Sequence, residues 1–560
     1  MAKVYGIDLG TTYSTISTLD DNGMPLIIEN HVDSGPLLAS AVYFPVGSEP
    51  VVGKDAKEKA IVEPDRVVQF VKRQIGKPDA QVWEFEGKQY DPIYISSLIL
   101  KRMKEYAAEQ GHEVKDVIIT CPAYFGMDER AATKQAGIIA GLNVLSIINE
   151  PTAAALNYCS REYKENRKIM VYDLGGGTFD VTLLDYNIDD NKKTSIDVID
   201  SGGDDRLGGI DWDSQLDDHL CELYSNENGI SKDEMETELR QKILSQVEDV
   251  KKVISNIPNR SVTISHAGDS TRLEVTRIKF EELTKHLVDR TMTFVHELLE
   301  KNNLSAEKID IVLLVGGSTR MPMIKSAIEG LFQGKVRVED PDLAVAKGAA
   351  LAAAIEWNKQ IEEFIDGQSD KIIQNDEGKP ITKEEASGLK IKNVETINTF
   401  SDMLSRSFGP AVFVDNQKYM IDNLLFVGDK SPSEARETYY TMADNQPVVD
   451  ICVFENVAED RTNKHVTPSL DENQVEQYTD PALKVKNIGK VTLSLQPNTP
   501  KDTPIEVVFK CSSIGLEVSA TNLQTKETVS SVIISENTKT LEELDEAVKR
   551  FASVRTKGQI

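Results

Sequence analysis

Val171-Tyr172-Asp173-Leu174-Gly175-Gly176-Gly177-Thr178-Phe179-Asp180-Val181 starts as an apolar run, reaches an aspartate and turns through three glycines. It leaves with apolar residues at every second position, Phe179, Val181 and Leu183. The pattern predicts strand, tight turn, strand. Consecutive glycines carry no Cβ, so successive backbone N–H groups can point at one spot. A concave row of such donors is a nest for an anion. Asp173 stands at the lip, where a carboxylate beside a phosphate cradle serves a hard cation, directly or through its waters. The stretch reads as a hairpin built for magnesium and phosphate.

A second copy lies at the N-terminus. Tyr5-Gly6-Ile7-Asp8-Leu9-Gly10-Thr11-Thr12-Tyr13-Ser14 repeats the order of apolar strand, Asp-Leu-Gly, threonine, aromatic and outgoing strand through Ile16. Two ordinary glycine hairpins would also carry glycines, but here an aspartate opens both turns. Two such units far apart in sequence predict related half-domains facing each other across a cleft.

The chain has 560 residues, enough for several domains, and a formal net charge of −28. That charge repels polyphosphate backbones and excludes nucleic acid as a partner. Five cysteines, Cys121, Cys159, Cys221, Cys452 and Cys511, are scattered without Cys-x-x-Cys spacing. They read as free thiols of a reducing compartment, against a disulfide frame or a zinc site. The longest apolar candidate for a membrane span, around Ala344 to Ile355, is short and carries Lys347. A strand that starts almost at Met1 leaves no stretch for a signal peptide. The expectation is a cytoplasmic protein with no membrane partner.

From Met1 to about Trp357, strands alternate with helical patterns. Val117 to Thr120, Val144 to Ile148 and Ile311 to Val315 are strand runs, and Asp128 to Ala140 is a helix closed by Gly141. Strands separated by helices predict a mixed α/β sheet covered on both faces. Gln241 to Asn256 is a charged helix whose spacing alone reads as a solvated surface. Ala349 to Ile361 is helical, and Asp366 to Gly388 is polar enough to be a linker. After Leu389 short β segments follow: Val448 to Phe454, Val491 to Leu495, Ile505 to Lys510 and Val532 to Ile534. Turns are expected at Gly409-Pro410 and at Gly428 to Pro432, and a long excursion at Asp460 to Lys486. The reading is a β-sandwich. Leu541 to Phe551 can make one short amphipathic helix. The expected domains are 1–357, an interdomain linker over 358–388, a sandwich over 389–535 and a short helical tail over 536–560.

Asp8 and Asp173 would face each other across the cleft. Glu150 ends a strand, Ile147-Ile148-Asn149, where Pro151 opens a helix at the position it favours. It is either a third site carboxylate or a charge complementing the helix dipole. Leu313-Leu314-Val315-Gly316-Gly317-Ser318-Thr319-Arg320 is a third glycine turn. Its arginine offers a planar cation able to stack on a base, or the stretch is an ordinary turn before the helix opened by Pro322. Neither a Walker nor a dinucleotide-binding glycine pattern is present.

These motifs together resemble those of the Hsp70 chaperone family. So do Cys121-Pro122-Ala123-Tyr124-Phe125, Gly202-Gly203-Asp204 and Leu207-Gly208-Gly209-Ile210-Asp211. The likeness covers residues 1 to 357. Beyond it, Met442-Ala443-Asp444-Asn445-Gln446-Pro447 and Leu516 to Ala520 resemble landmarks of the family's peptide-binding β-sandwich. The resemblance implies an actin-like, duplicated ribonuclease H-like ATPase domain that slowly hydrolyses ATP to ADP with Mg2+. Asp8 and Asp173 would hold the hydrated magnesium. Gly10, Thr11, Thr12, Tyr13, Gly175, Gly176, Gly177, Thr178, Gly208 and Gly209 would surround the phosphates. Lys72 matches the catalytic lysine, with Glu150, Asp173 and Asp180 orienting metal and water. Glu248, Lys251, Lys252, Ser255, Gly316, Gly317, Ser318, Arg320 and Asp342 would line the nucleoside. Pro122 and Arg130 match the relay towards the partner domain.

The sequence departs from the family pattern in several places. Lys252 and Ser146 stand where arginines are usual, the latter facing J-domain co-chaperones. Lysines interrupt the connection Ser387 to Val394. Most of the helical lid is missing after Ile534, and the end, Lys557-Gly558-Gln559-Ile560, is not Glu-Glu-Val-Asp. The expected function is an ATP-driven chaperone for extended peptide segments, served by a nucleotide-exchange factor. The alternative is a nucleotide-switched binding module for one dedicated partner. A sugar or acetate kinase of the same superfamily is a third reading, against which the appended β-domain speaks.

Overall fold

The computed structural model describes residues 3–31, 33, 35–160, 165–191, 193–367, 381–392, 394, 399–414, 418–458, 465–470, 479–480, 485–512, 515–533, 538–552 and 554–557. It is mixed α/β with a strand-rich C-terminal region. Two sheets organise the first part. One runs Asn143–Asn149, Asp116–Cys121, Val4–Asp8, Tyr13–Leu19, Pro25–Ile27, with Leu38–Ala39 also on Tyr13–Leu19. The other runs Val336–Val338, Ile311–Val315, Arg167–Leu174, Phe179–Ile188, Thr194–Asp204.

Both sheets repeat one local topology. Val4–Asp8 pairs antiparallel with Tyr13–Leu19 and parallel with Asp116–Cys121. Arg167–Leu174 pairs antiparallel with Phe179–Ile188 and parallel with Ile311–Val315. Asp8 and Asp173 therefore hold equivalent places, each at the end of the strand that enters its turn. Below, the first sheet and its helices are the first lobe, the second sheet and its helices the second.

Each lobe has its own core, around Tyr5, Leu98 and Ile119 in the first and around Tyr172, Trp212 and Val250 in the second. A third core joins them. It takes Val4 and Ile118 from the first sheet, Val171 and Leu313 from the second, and the alanine faces of helices Glu150–Cys159 and Ala344–Asp366. Burying such small side chains lets the two helices pack closely between the sheets.

The helix from Ala344 runs through the expected start of the linker to Asp366 and stops at Gly367, whose φ of 74° is left-handed. Lys383–Ser387 forms another short helix with a Thr382 cap. Ile361 and Ala386 are buried, so polar composition concealed a packed appendage there. Residues 368–380 of the expected linker and Asn393 lie outside the described residues.

The strand-rich region has two sheets. The larger runs His465–Leu470, Lys418–Asp422, Ser407–Val414, Val448–Asn456, Val485–Ser494, Thr479–Asp480; the smaller runs Ser433–Tyr440, Pro504–Ser512, Gly515–Asn522, Thr528–Ile533. Phe408, Val453, Val491, Phe509 and Val518, drawn from both sheets, share one core. Gly409-Pro410 is not a turn. It lies within a strand, because the carbonyl of Asp422 comes so close that a Cβ on Gly409 would sit 2.1 Å from it. The described parts of the expected excursion, His465–Leu470 and Thr479–Asp480, are sheet strands. Val485 and Lys486, at its end, open the strand Val485–Ser494; residues 460–464, 471–478 and 481–484, and Ile534, lie outside the described residues.

The regions are joined through one backbone ladder. Thr399–Met403 adds in parallel to Thr194–Asp204, extending the second lobe's sheet, and Lys430–Ser431 follows it. The expected connection at Ser387–Val394 instead packs against the third core through Ile391 and Val394, with Trp357 Nε1 donating to Leu389 O at 3.1 Å. Side chains add Ser405 Oγ to Phe125 O at 2.8 Å and Lys486 to Asp128 at 2.9 Å. Helix Leu541–Ala552 lies on the first lobe, where Phe551 is buried against Tyr94 at a ring distance of 5.2 Å. Lys557 bridges Val51 just beyond it. Among the described residues no helix is long and apolar enough to cross a membrane.

Candidate active site

The three glycines of the second hairpin all turn their carbonyls to one side. Gly175 O accepts Gly209 N–H at 2.9 Å and Ser318 Oγ at 2.9 Å, and Gly176 O accepts Ile210 N–H at 2.8 Å. Gly177 O accepts Arg73 Nε at 2.9 Å and Nη2 at 2.6 Å. A trans peptide is planar, with its N–H opposite its C=O. The N–H groups of Gly176, Gly177 and Thr178 are therefore turned to the other side, as a nest requires. Thr12 Oγ1 of the first hairpin sits against this nest: a Cβ on Gly176 would lie 2.0 Å from it. Among the described residues that hydroxyl is buried with no hydrogen-bond partner.

The third glycine turn closes against the second hairpin. Gly316 has φ 84°, and a Cβ there would meet Leu174 O at 2.3 Å and Asp173 Oδ1 at 2.7 Å. Gly208 lies so close to Gly177 that a Cβ would come within 2.5 Å of its backbone. Glycine at these positions is a condition for three loops meeting at Asp173.

Glu150, Asp173 and Asp180 are buried, and Asp8 half-buried, around the buried ammonium of Lys72, which pairs with Glu150. Thr120 Oγ1 donates to Asp8 at 3.2 Å, and Ala123 N–H to Asp180 at 3.1 Å. Burial, then the charge of Glu150, lifts Asp8 to about 7. The same two causes push Asp173 and Asp180 well above the usual carboxylate range. Burial opposes protonation of Lys72, but Glu150 and Asp8 hold it above its ordinary value. Four carboxylates against one ammonium leave a deficit of positive charge that a dication would supply. Among the described residues no three metal-ligating side chains form a cage.

At the other end, Tyr13 OH donates to Glu248 at 2.9 Å, Lys252 pairs with Glu248 at 2.7 Å, and Lys57 pairs with Glu248 and reaches Tyr13 OH at 3.1 Å. Burial opposes ionisation of Glu248, yet Lys57 and Lys252 hold it at about 2. Lys251 is buried against Gly209 O at 2.9 Å and Asp213 at 2.8 Å. Ser255 Oγ donates to Lys251 O at 2.8 Å, within its own helix. Arg320 grips Asp342 through Nε at 3.0 Å and Nη2 at 2.6 Å, and a Cβ on Gly317 would reach Asp342 at 2.8 Å. Gly10 is locked by Ser14 and Ser40, which bond its N–H at 3.1 Å and its carbonyl at 2.9 Å.

Asp8, Thr12, Asp173, the glycines of the second hairpin, Gly208, Gly209, Gly316 and Ser318 thus come together around the ends of Val4–Asp8, Arg167–Leu174 and Ile311–Val315, while Glu248 and Lys252 meet the first hairpin through Tyr13 and Ser255 bonds within its own helix. Helix Thr237–Asn256, which spacing alone read as a solvated surface, turns Val247, Val250, Lys251 and Ile254 inward. Sequence reasoning missed Lys57, Arg73 and Thr120. Arg73 directly follows Lys72, which is the one signal available for it. Arg130, expected as a relay, donates to Asn149 Oδ1 and to Phe125 O at 3.1 Å, beside Asp402 of the strand-rich region. A family model described as Hsp70 protein matches residues 4–366.

Proposed function

The chain belongs to the Hsp70 family, and from that premise we propose that it is an ATP-driven chaperone whose site lies between its two Asp-Gly hairpins. Members of that family generally bind ATP or ADP with Mg2+, hydrolyse ATP, and bind unfolded peptides and co-chaperones. The observation that carries the reading is the second hairpin: three glycine carbonyls turned one way, three N–H groups the other, beside a carboxylate cluster short of positive charge. The first part is then an actin-like ATPase domain and the strand-rich part a peptide-binding β-sandwich.

The chain's own groups divide the work. The hairpin N–H groups and Thr11, Thr12 and Thr178 hold phosphate oxygens. Lys72, fixed by Glu150, places its ammonium at the terminal phosphate and at a water in line with it. Asp180, fixed by Ala123 N–H, orients that water. Asp8 and Asp173 would hold magnesium through its waters, and the ion would neutralise charge on the phosphates. Tyr13, Glu248, Lys251, Lys252, Ser255, Arg320 and Asp342 receive the nucleoside. Nothing in this set requires a covalent intermediate; positioning and charge do the catalysis.

Calorimetry with MgATP, paired with single-turnover phosphate release, tests the site. Tight association and slow hydrolysis are expected; no heat of association in folded protein overturns the reading. Turnover with and without a model peptide tests whether the sandwich answers to the nucleotide.

One observation favours the dedicated-partner alternative. Helix Leu541–Ala552 is spent on the first lobe rather than covering the strand-rich region. Peptide off-rates equal in ATP and ADP would decide for that alternative.

A further inference from the structure

Among the described residues, Arg73 is the one donor to the glycine cradle's carbonyls that comes from the other lobe. Gly175 O and Gly176 O are held by the backbone N–H groups of Gly209 and Ile210, within the second lobe. Gly177 O is held by a side chain on the turn Val71–Arg73, whose Val71 packs into the first lobe's core. The same guanidinium reaches Asp211 Oδ2 at 3.1 Å. That oxygen also accepts Gly208 N–H at 2.7 Å, at the start of helix Gly209–Asn228. The fit is tight: a Cβ on Gly177 would lie 2.9 Å from Arg73 Nε and 2.6 Å from Thr11 Cγ2.

We propose that Arg73 is a positioning residue that makes the phosphate cradle conditional on lobe closure. The inference rests on the reading that the cleft takes a magnesium-bound nucleoside triphosphate. A two-pronged, charge-assisted grip on Gly177 O fixes the plane of the Gly177–Thr178 peptide and so aims the Thr178 N–H. A charged donor on the carbonyl also polarises that peptide and strengthens its N–H as a donor. When the lobes part, this contact is lost while the Gly209 and Ile210 contacts remain. The cradle then keeps two aimed donors and releases the third. Arg73 sits next to Lys72, so one turn carries both the lysine and the device that shapes the nest facing it.

The test compares wild type, Arg73→Ala and Arg73→Lys, all full-length, by calorimetry with MgATP, MgADP and adenosine. Losing a charge-assisted contact predicts that Arg73→Ala binds MgATP roughly tenfold to a hundredfold more weakly. Adenosine affinity is expected to stay within about twofold, since Arg73 grips Gly177 O and Asp211 rather than the groups proposed to receive the nucleoside. Guanidinium added at millimolar level is expected to restore part of the MgATP affinity to Arg73→Ala and none to wild type, which a general loss of structure would not show. Arg73→Lys, keeping charge but offering no fork, is expected between the two; it carries the test if Arg73→Ala does not fold. Wild type that takes up no MgATP overturns the nucleotide reading and this inference with it. Wild type that binds MgATP while Arg73→Ala or Arg73→Lys binds it equally overturns this inference alone. Equal losses for adenosine and MgATP overturn it too.

Discussion

Asp402 accepts the hydroxyl of Thr152 at 2.5 Å, and so ties the first strand after the connection to the turn that positions Glu150. The same carboxylate takes the N–H of Asn149 at 3.1 Å and is buried opposite Arg130. Asp402→Ala would leave two buried donors unpaired, at about 1–3 kcal/mol each. The expected result is faster amide exchange over Thr399–Met403, measured by mass spectrometry, with Asp402→Asn intermediate. Unchanged exchange would show that the ladder, not the carboxylate, holds the region in place.

Lys72 is buried among Asp8, Glu150, Asp173 and Asp180, the groups proposed to serve the phosphates, whereas Tyr13 and Glu248 are proposed to receive the nucleoside. Lys72→Ala is expected to keep MgATP binding while slowing single-turnover phosphate release by about a hundredfold or more. Hydrolysis at the wild-type rate would remove Lys72 from the chemistry.

Two glycines in helices give opposite predictions. A Cβ on Gly348 would lie 1.6 Å from Ala153 O, where the two inter-sheet helices touch, whereas Gly330 has nothing within 4 Å. Gly348→Ala is expected to cost on the order of 3 kcal/mol. Gly330→Ala should stabilise by up to about 1 kcal/mol, from backbone entropy. Thermal unfolding of the two variants checks both signs.

Glu455 pairs with Arg406 at 3.0 Å, lies beside Lys486 of the neighbouring strand, and faces Asp128 and Glu129 across the junction. Burial lifts its carboxyl to about 7; Arg406 and Lys486 oppose this, and Asp128 and Glu129 add to it. Burial raises Glu129 as well. A docked carboxyl titrating above its ordinary value of 4.5 holds a proton that the undocked one gives up. Docking is therefore favoured below that value and weakens as pH climbs towards 7, by up to about 1.4 kcal/mol per pH unit. With 14% of the side chain still wetted, solvent moderates the effect. A fluorescence-transfer pair across the junction should report more docking near about pH 5 than near about pH 8, less so in Glu455→Gln. A flat profile in wild type would refute it.

The two hairpins, the Pro151 helix start and the Gly316 turn were legible because their signals are local: period-two apolar runs, an aspartate, then glycine. Lys57, Arg73 and Asp402 were not. Their partners lie 191, 104 and 250 residues away, and nothing beside them in sequence marks the contact. Gly409-Pro410 misled because glycine serves a close approach of two backbones as readily as a turn. The polar segment after Trp357 misled because the burial of Ile361 and Ala386 rests on packing, which composition does not record.

Thr399–Met403 belongs to the second lobe's sheet although the covalent route to it passes through 367–399. Chain continuity is then not what holds the two regions together. A polypeptide severed between 367 and 381 should elute as one particle, and separately expressed halves should reassemble by fragment complementation, the C-terminal half supplying the strand that the N-terminal half lacks.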